Sequence, residues 1–385
     1  MLARHLAPTI RTYAREFKIV AVLGPRQSGK TTLVRLLFAD RPYVNLEEPD
    51  QRQFATDDPR GFLARFPEGA VIDEAQRCPA LFSYLQTQVD ASPRRGQFVL
   101  TGSQQLGLME SITQTLAGRV GTVELLPFSQ AELRDADCAP ATPEEAMFRG
   151  GYPPLYSDPP ADPVRWLNAY LHTYVERDVR TALNVRDLST FQRFLGLCAG
   201  SAGQLLNTVR LGADSGVSHN TVRAWLSVLE AGYVVRLLQP HSANFRKRLV
   251  KTPKLYFYDA GLLVRLLGVE TPAQLHSHPL RGAIFENWAV MELFKARLNC
   301  GREPRGFFWR DNVGHEVDYL QEDATRLDAW EFKSGKTYAP EWADGLKYWA
   351  RLAGKRVEKL HVVYGGDESF TRQGIDVVAW KDLGA

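Results

Sequence analysis

Two stretches carry residue types that can do chemistry. The first is Gly24-Pro25-Arg26-Gln27-Ser28-Gly29-Lys30-Thr31, with Thr32 behind it. It fits the spacing Gly-x4-Gly-Lys-Ser/Thr. Glycines let backbone N–H groups curl around phosphates, Lys30 can reach the β- and γ-phosphates, and the Thr31 hydroxyl can ligate Mg²⁺. Its complement lies in AVIDEAQRCP, where an apolar run ends in Asp73-Glu74. Asp73 is expected to hold Mg²⁺ through water and Glu74 to polarise the attacking water. Two acids at a helix N-terminus would look the same, but their pairing with the phosphate loop favours ATP. QFVLTGSQQ ends in polar residues, and Ser103 or Gln104 is placed to sense the γ-phosphate.

The second stretch runs from EVDYL to WEFKSG. In EVDYL, strand alternation puts Glu316, Asp318 and Leu320 on one face; in WEFKS, Glu331 and Lys333 share a face. Adjacent strands would gather Asp318, Glu331 and Lys333. Glu286, one acid among the core-like residues of LRGAIFENWAVMELFKARL, would join them. A buried glutamate must be protonated, paired or bound to metal. An acid, a gap, then acid-x-lysine matches the PD-(D/E)xK nuclease arrangement. Asp318 and Glu331 would bind Mg²⁺, and Lys333 would orient or deprotonate water and stabilise the pentavalent charge. Charged alternation is also what any half-exposed hairpin shows, so both readings stay open.

Particular elements must position these residues. Ile19–Leu23 is a continuous apolar run, as a strand buried on both faces should be, and a helix over 30–38 follows. Further strands are expected at 70–72, 97–101 and from Val120, so strands and helices alternate and a parallel sheet results. GGYPPLYSDPPADP carries five prolines and reads as a domain boundary. An amphipathic helix over 164–183 follows. Ser218 then caps a helix with Val222, Trp225, Leu226 and Leu229 at helical spacing. Strands at 233–238 and 255–258 come next, a pattern that looks like a winged helix-turn-helix. Between them, HSANFRKRLVKTPK presents Arg246, Lys247, Arg248, Lys251 and Lys254 to a duplex backbone, while His219, Asn220 and Arg223 face a groove. Solvation of a basic loop is the plainer alternative.

GPRQSGKT, VIDEAQ, LTGSQQ, LAGRV, LPFSQAEL, GGYP, TYVERDV, KLYFYDAGL, GAIFENW and EVDYL…EFKSG resemble the AAA-type ATPases. In particular they resemble the family that joins an AAA core to a C-terminal domain of unknown function, DUF4143. The resemblance implies a P-loop AAA-type core over residues 1–150, a helical lid and winged helix over 151–275, and a restriction-endonuclease-like α/β domain over 276–385. It also gives Arg119, in LAGRV, the place of an arginine that completes a neighbour's ATP site, which would make the active form a homo-oligomer. A plain surface arginine fits the same position. Arg177 and Asp178 fall in the family's YVERDV element, and Arg180 directly follows it.

The whole chain sets outer limits. With 385 residues, more than one core is expected. A net charge of +3 does not advertise nucleic acid binding, so any basic face must be local. No apolar run approaches the roughly 20 residues of a membrane span, and the N-terminus lacks the apolar centre of a signal peptide. Four scattered cysteines suggest a reducing cytoplasm. The expected activity is ATP-controlled cutting or remodelling of DNA. The rival is a regulatory or signalling ATPase, of toxin–antitoxin or defence type, whose tail binds nucleic acid or protein without cleavage.

Overall fold

A computed structural model describes residues 2–103, 112, 114–175, 187–241 and 251–384. Contacts divide the chain into two units. One comprises residues 1–128 with 231–233 and 298–302; the other comprises 129–230, 234–297 and 303–385.

The first unit is built on a five-stranded, wholly parallel sheet. Its strands are β1 (Ile19–Leu23), β2 (Tyr43–Asn45), β3 (Ala70–Asp73), β4 (Phe98–Gly102) and β5 (Val120–Glu124), in the order β2-β3-β4-β1-β5. Every residue of β1, β3 and β4 is buried, which is why these strands read as unbroken apolar runs rather than alternating ones. Val20 and Val22 pack with Leu33 and Val34 of the helix Lys30–Leu37. Each such side chain taken out of water contributes roughly 1.5–3 kcal/mol. Because all five strands run the same way, their carboxyl ends share one edge. The loop after β1, Asp73 ending β3 and Gly102 ending β4 therefore meet there.

The second unit holds the helices Leu188–Gly200, Thr208–Ser215 and His219–Ala231, followed by the antiparallel pair β6 (Val235–Leu238) and β7 (Lys254–Phe257). Next come the helix Arg281–Asn299, β8 (Gly306–Arg310), β9 (Glu316–Asp323), β10 (Arg326–Lys333), the helix Asp344–Ala353 and β11 (Val357–Tyr364). β12 (Phe370–Arg372) and β13 (Ile375–Ala379) complete a six-stranded sheet in the order β12-β13-β11-β10-β9-β8. β8, β9 and β10 form an antiparallel meander; β11 lies parallel to β10, as the intervening helix requires. Trp309, Val317, Leu320, Trp349 and Val362 form the core between sheet and helix. A bridge between Pro240 and Phe308, with the His241 N–H donating to the Phe308 carbonyl at 2.7 Å, ties the β6–β7 pair to β8.

Several boundaries shift by a residue or two from expectation, and two of the differences bear on the candidate sites. The helix expected over 164–183 is α-helical at Pro163–Tyr170 and continues as a π-helical turn, Leu171–Val175. Residues 176–186, with Arg177, Asp178 and Arg180, lie outside the described residues. The strand expected at 255–258 begins one residue earlier, at Lys254. Lys254 is therefore part of the strand rather than of the loop before it.

Candidate functional site

At the shared edge of the parallel sheet, the phosphate loop takes a conformation that few sequences could adopt. Gly24 has φ +145°, and a Cβ there would sit 2.1 Å from the Leu125 carbonyl oxygen. Gln27 and Gly29 also have positive φ, of 63° and 92°. Lys30 is 5% exposed. Its ammonium donates to the carbonyls of Gly24 at 2.8 Å and Pro25 at 2.7 Å, so it is received by backbone rather than by an acid. Burial pulls it down to about 8, while Glu74 and Asp73 pull the other way. The Ser28 hydroxyl is buried with no hydrogen-bond partner, an orphan that an oxyanion in the loop would satisfy.

Asp73 accepts from the Thr31 hydroxyl at 2.8 Å, from Tyr43 at 2.6 Å and from Thr101. These contacts bring the two expected Mg²⁺ ligands of the loop together. Glu74 has φ +55°, costly for a residue with a Cβ and characteristic of functional positions. Gln76 at 2.5 Å and Ser103 at 2.9 Å hold one of its carboxylate oxygens. Arg26 pairs with Glu47 at 3.4 Å, and Gln27 and Thr32 are exposed. Gln104 lies outside the described residues.

Arg119 lies elsewhere. It immediately precedes β5, and its carbonyl accepts from Ile19 N–H at the amino end of β1. The loop follows the far end of that strand, about 16 Å away, beyond the arginine's reach within one chain. Its guanidinium makes a two-pronged contact with Asp90, 2.7 Å on each arm.

In the second unit, Asp318 on β9 and Glu331 and Lys333 on β10 are neighbours, as strand alternation allowed, and Glu286 on the helix Arg281–Asn299 lies beside them. Asp318 Oδ2 accepts from Phe332 N–H across the strand pair at 3.0 Å. Lys333 Nζ contacts Glu331 Oε1 at 2.6 Å, while Glu331 Oε2 is buried without a partner. Burial and then the Asp318 charge push Glu331 up to about 8 and Glu286 up to about 7; burial also raises Asp318.

One member was missed. Lys254, read from sequence as part of a basic loop meeting a duplex backbone, is instead 3% exposed and points into this cluster. Its ammonium lies 2.5 Å from Glu316, 2.9 Å from Glu286 and 3.9 Å from Asp318. Tyr256, two residues on and hence on the same face of β7, donates to Glu286 at 2.5 Å. Burial alone would lower Lys254, but the surrounding groups, Tyr256 and Glu286 foremost, hold it well above its ordinary value. The signal was a lysine opening a wholly apolar strand with a tyrosine two places later. Among the described residues, no group of three or more His, Cys, Asp or Glu stands arranged to hold a metal ion. The acids are oxygen donors suited to Mg²⁺, and the orphaned Glu331 oxygen fits such an ion; the lysine shares their space.

Of the expected nucleic acid contacts, His219, Asn220 and Arg223 are exposed on the helix His219–Ala231, which Ser218 caps through Thr221 N–H at 3.1 Å. His219, Arg223 and Lys251 line one open cleft of about 460 Å³, together with Thr208, Glu230 and Pro253. Arg246, Lys247 and Arg248 lie outside the described residues. Among the described residues, no helix is long and apolar enough to cross a membrane.

Comparison with known proteins accounts for most of the chain. An AAA domain model matches residues 16–134, and two domains of unknown function, DUF8612 and DUF4143, match 141–273 and 281–383. Uncharacterized proteins of Mycobacterium tuberculosis and Mycobacterium bovis are each 33% identical over 372 residues, covering 95% of this chain and 81% of theirs. The Walker-type ATPase of Pyrococcus abyssi aligns with a TM-score of 0.44 and 14% identity, over 68% of this chain and 94% of that one. The chain thus belongs to the family of these mycobacterial proteins and is itself an AAA-type ATPase with a C-terminal DUF4143 domain.

Proposed function

We propose that this ATPase acts on DNA, and that its second unit is a metal-dependent nuclease of restriction-endonuclease-like fold under ATP control. One observation carries the reading. The order helix, three antiparallel strands, helix, parallel strand places Asp318, Glu331 and Lys333 side by side, with Glu286 facing them from the first helix.

Asp318, Glu331 and Glu286 would hold Mg²⁺, which when bound supplies Lewis-acid stabilisation to the phosphodiester. Lys333, a third exposed, is placed to orient the attacking water and offset charge on the phosphorus oxygens. Water adds to phosphorus, the bond to the sugar oxygen breaks, and that oxygen leaves with a proton. The helices Thr208–Ser215 and His219–Ala231 with the β6–β7 pair form a winged-helix arrangement. Its cleft, with Arg223 and Lys251, would take the phosphate backbone. In the first unit, Lys30 and the loop bind ATP, Thr31 and Asp73 serve Mg²⁺, and Glu74 polarises water. Arg119 is too far from its own loop and would complete a neighbour's site in a homo-oligomer.

The test uses supercoiled and branched DNA with Mg²⁺ or Mn²⁺, with and without ATP. Wild type should cleave and Asp318→Ala should not, with ATP hydrolysis unchanged between them. Cleavage surviving Asp318→Ala would put the cutting at another site or in a contaminant, and no cleavage by wild type would leave the regulatory, non-cutting ATPase as the better account.

A further inference from the structure

We propose that Lys254 is the built-in cation of the acid cluster. Its ammonium holds the place of a divalent ion, and metal binding at Asp318 is a competition with this lysine. The inference rests on the nuclease reading only for the identity of the site.

Three carboxylates receive this single ammonium: Glu316 at 2.5 Å, Glu286 at 2.9 Å and Asp318 at 3.9 Å. A lysine retained only as a structural ion pair needs one partner; here two of its three partners are the proposed metal ligands. The side chain is aimed there by a backbone held on several sides. Leu255 N–H donates to the Gln204 carbonyl at 3.1 Å, and Gly203 N–H to the Leu255 carbonyl at 2.8 Å. Asn287 grips Phe257 through both of its amide atoms, accepting at 2.7 Å and donating at 2.9 Å. Asn287 neighbours Glu286, so one turn of helix fixes both the strand and the acid that the lysine meets.

Electrostatics then sets the competition. A divalent ion among Glu286 and Asp318 would face an ammonium at contact distance in a water-poor site, where like charges repel strongly. Either the ion is held weakly or the lysine must swing away. Without the lysine, the acids are left uncompensated and should attract a cation. Lys333 differs, because its ion pair is with Glu331 and it keeps a third of its surface in solvent.

The test is Mn²⁺ titration of the nucleotide-free full chain, following the paramagnetic resonance signal of the free ion. Lys254→Met should bind Mn²⁺ at least about tenfold more tightly than wild type. Adding Asp318→Asn should abolish the gain. Equal or weaker binding by Lys254→Met, or a gain that survives Asp318→Asn, would overturn the proposal. If Lys254→Met does not fold, Glu316→Gln decides. It removes one partner of the lysine and none of the proposed metal ligands, and it should tighten Mn²⁺ binding about threefold; unchanged or weaker binding would overturn the proposal. The same proteins are assayed on supercoiled DNA. A gain in Mn²⁺ affinity without cleavage by any form would remove the nuclease reading and keep the competition, whereas cleavage without the gain would do the reverse.

Discussion

Lys30 and Lys254 are both ammonium groups taken almost wholly out of water, 5% and 3% exposed, and they differ in what receives them. Lys30 rests on two backbone carbonyls of its own loop. Lys254 rests on carboxylates from β9 and from the helix Arg281–Asn299. Neutral oxygens compensate a buried charge poorly, so Lys30 is pulled down to about 8 and is ready to exchange its partners for phosphate. Charged oxygens compensate well, so Lys254 keeps its proton, and a metal ion must compete with it for Glu286 and Asp318. The first arrangement is a poised binding group; the second is a filled one.

The sharpest way to break this contrast is to remove each lysine. Lys254→Ala leaves several buried carboxylates without their cation and should cost about 3–5 kcal/mol of unfolding free energy, partly restored by Mn²⁺. A chemical denaturation curve measures this. Lys30→Ala should move stability by no more than about 1 kcal/mol, because it gives up a poorly compensated charge, yet lower ATP affinity about 10²-fold. Calorimetric titration reads that loss. If both substitutions cost the same stability, the two lysines are not held differently.

Glu74→Gln sharpens the nucleotide side. It should spare ATP binding and slow hydrolysis by about 10²-fold, since water activation alone is lost. Equal hydrolysis rates would remove Glu74 from its role. pH separates the lysines further. Above about 8, Lys30 in the free protein loses its proton, and phosphate favours its return, so binding takes up a proton. ATP affinity should therefore fall as pH rises above 8, by up to about tenfold per unit, and a flat profile between pH 7.5 and 9.5 would contradict the assignment. The smallest effect concerns the cleft. Arg223→Ala with Lys251→Ala should flatten the slope of log DNA affinity against log salt by about 1.8 while leaving ATP affinity alone.

The phosphate site is legible in sequence because its glycines, lysine and hydroxyl are contiguous and its acids end the next core strand. Asp318, Glu331 and Lys333 are legible for a similar reason: period-two alternation on neighbouring strands fixes which side chains meet. Lys254 is not, because its partners stand 32, 62 and 64 residues downstream (254 to Glu286, Glu316 and Asp318) and only the fold joins them. In a run with four other basic residues it reads as one more cation of a DNA-facing or solvated loop. The pairing of Arg119 with Asp90 was hidden too, since nothing local links a strand start to the end of the helix Leu81–Asp90.

The most direct test of the acid cluster as a metal site is to locate the ion. Crystals of the full chain, grown with a non-hydrolysable ATP analogue and soaked in Mn²⁺, would be measured at the manganese edge. The account predicts two anomalous peaks, one beside Thr31 and Asp73 and one at bonding distance from Asp318 and Glu331, with Lys254 displaced from its present contacts. A single peak at the nucleotide, with Lys254 still between Glu286 and Glu316, would contradict it.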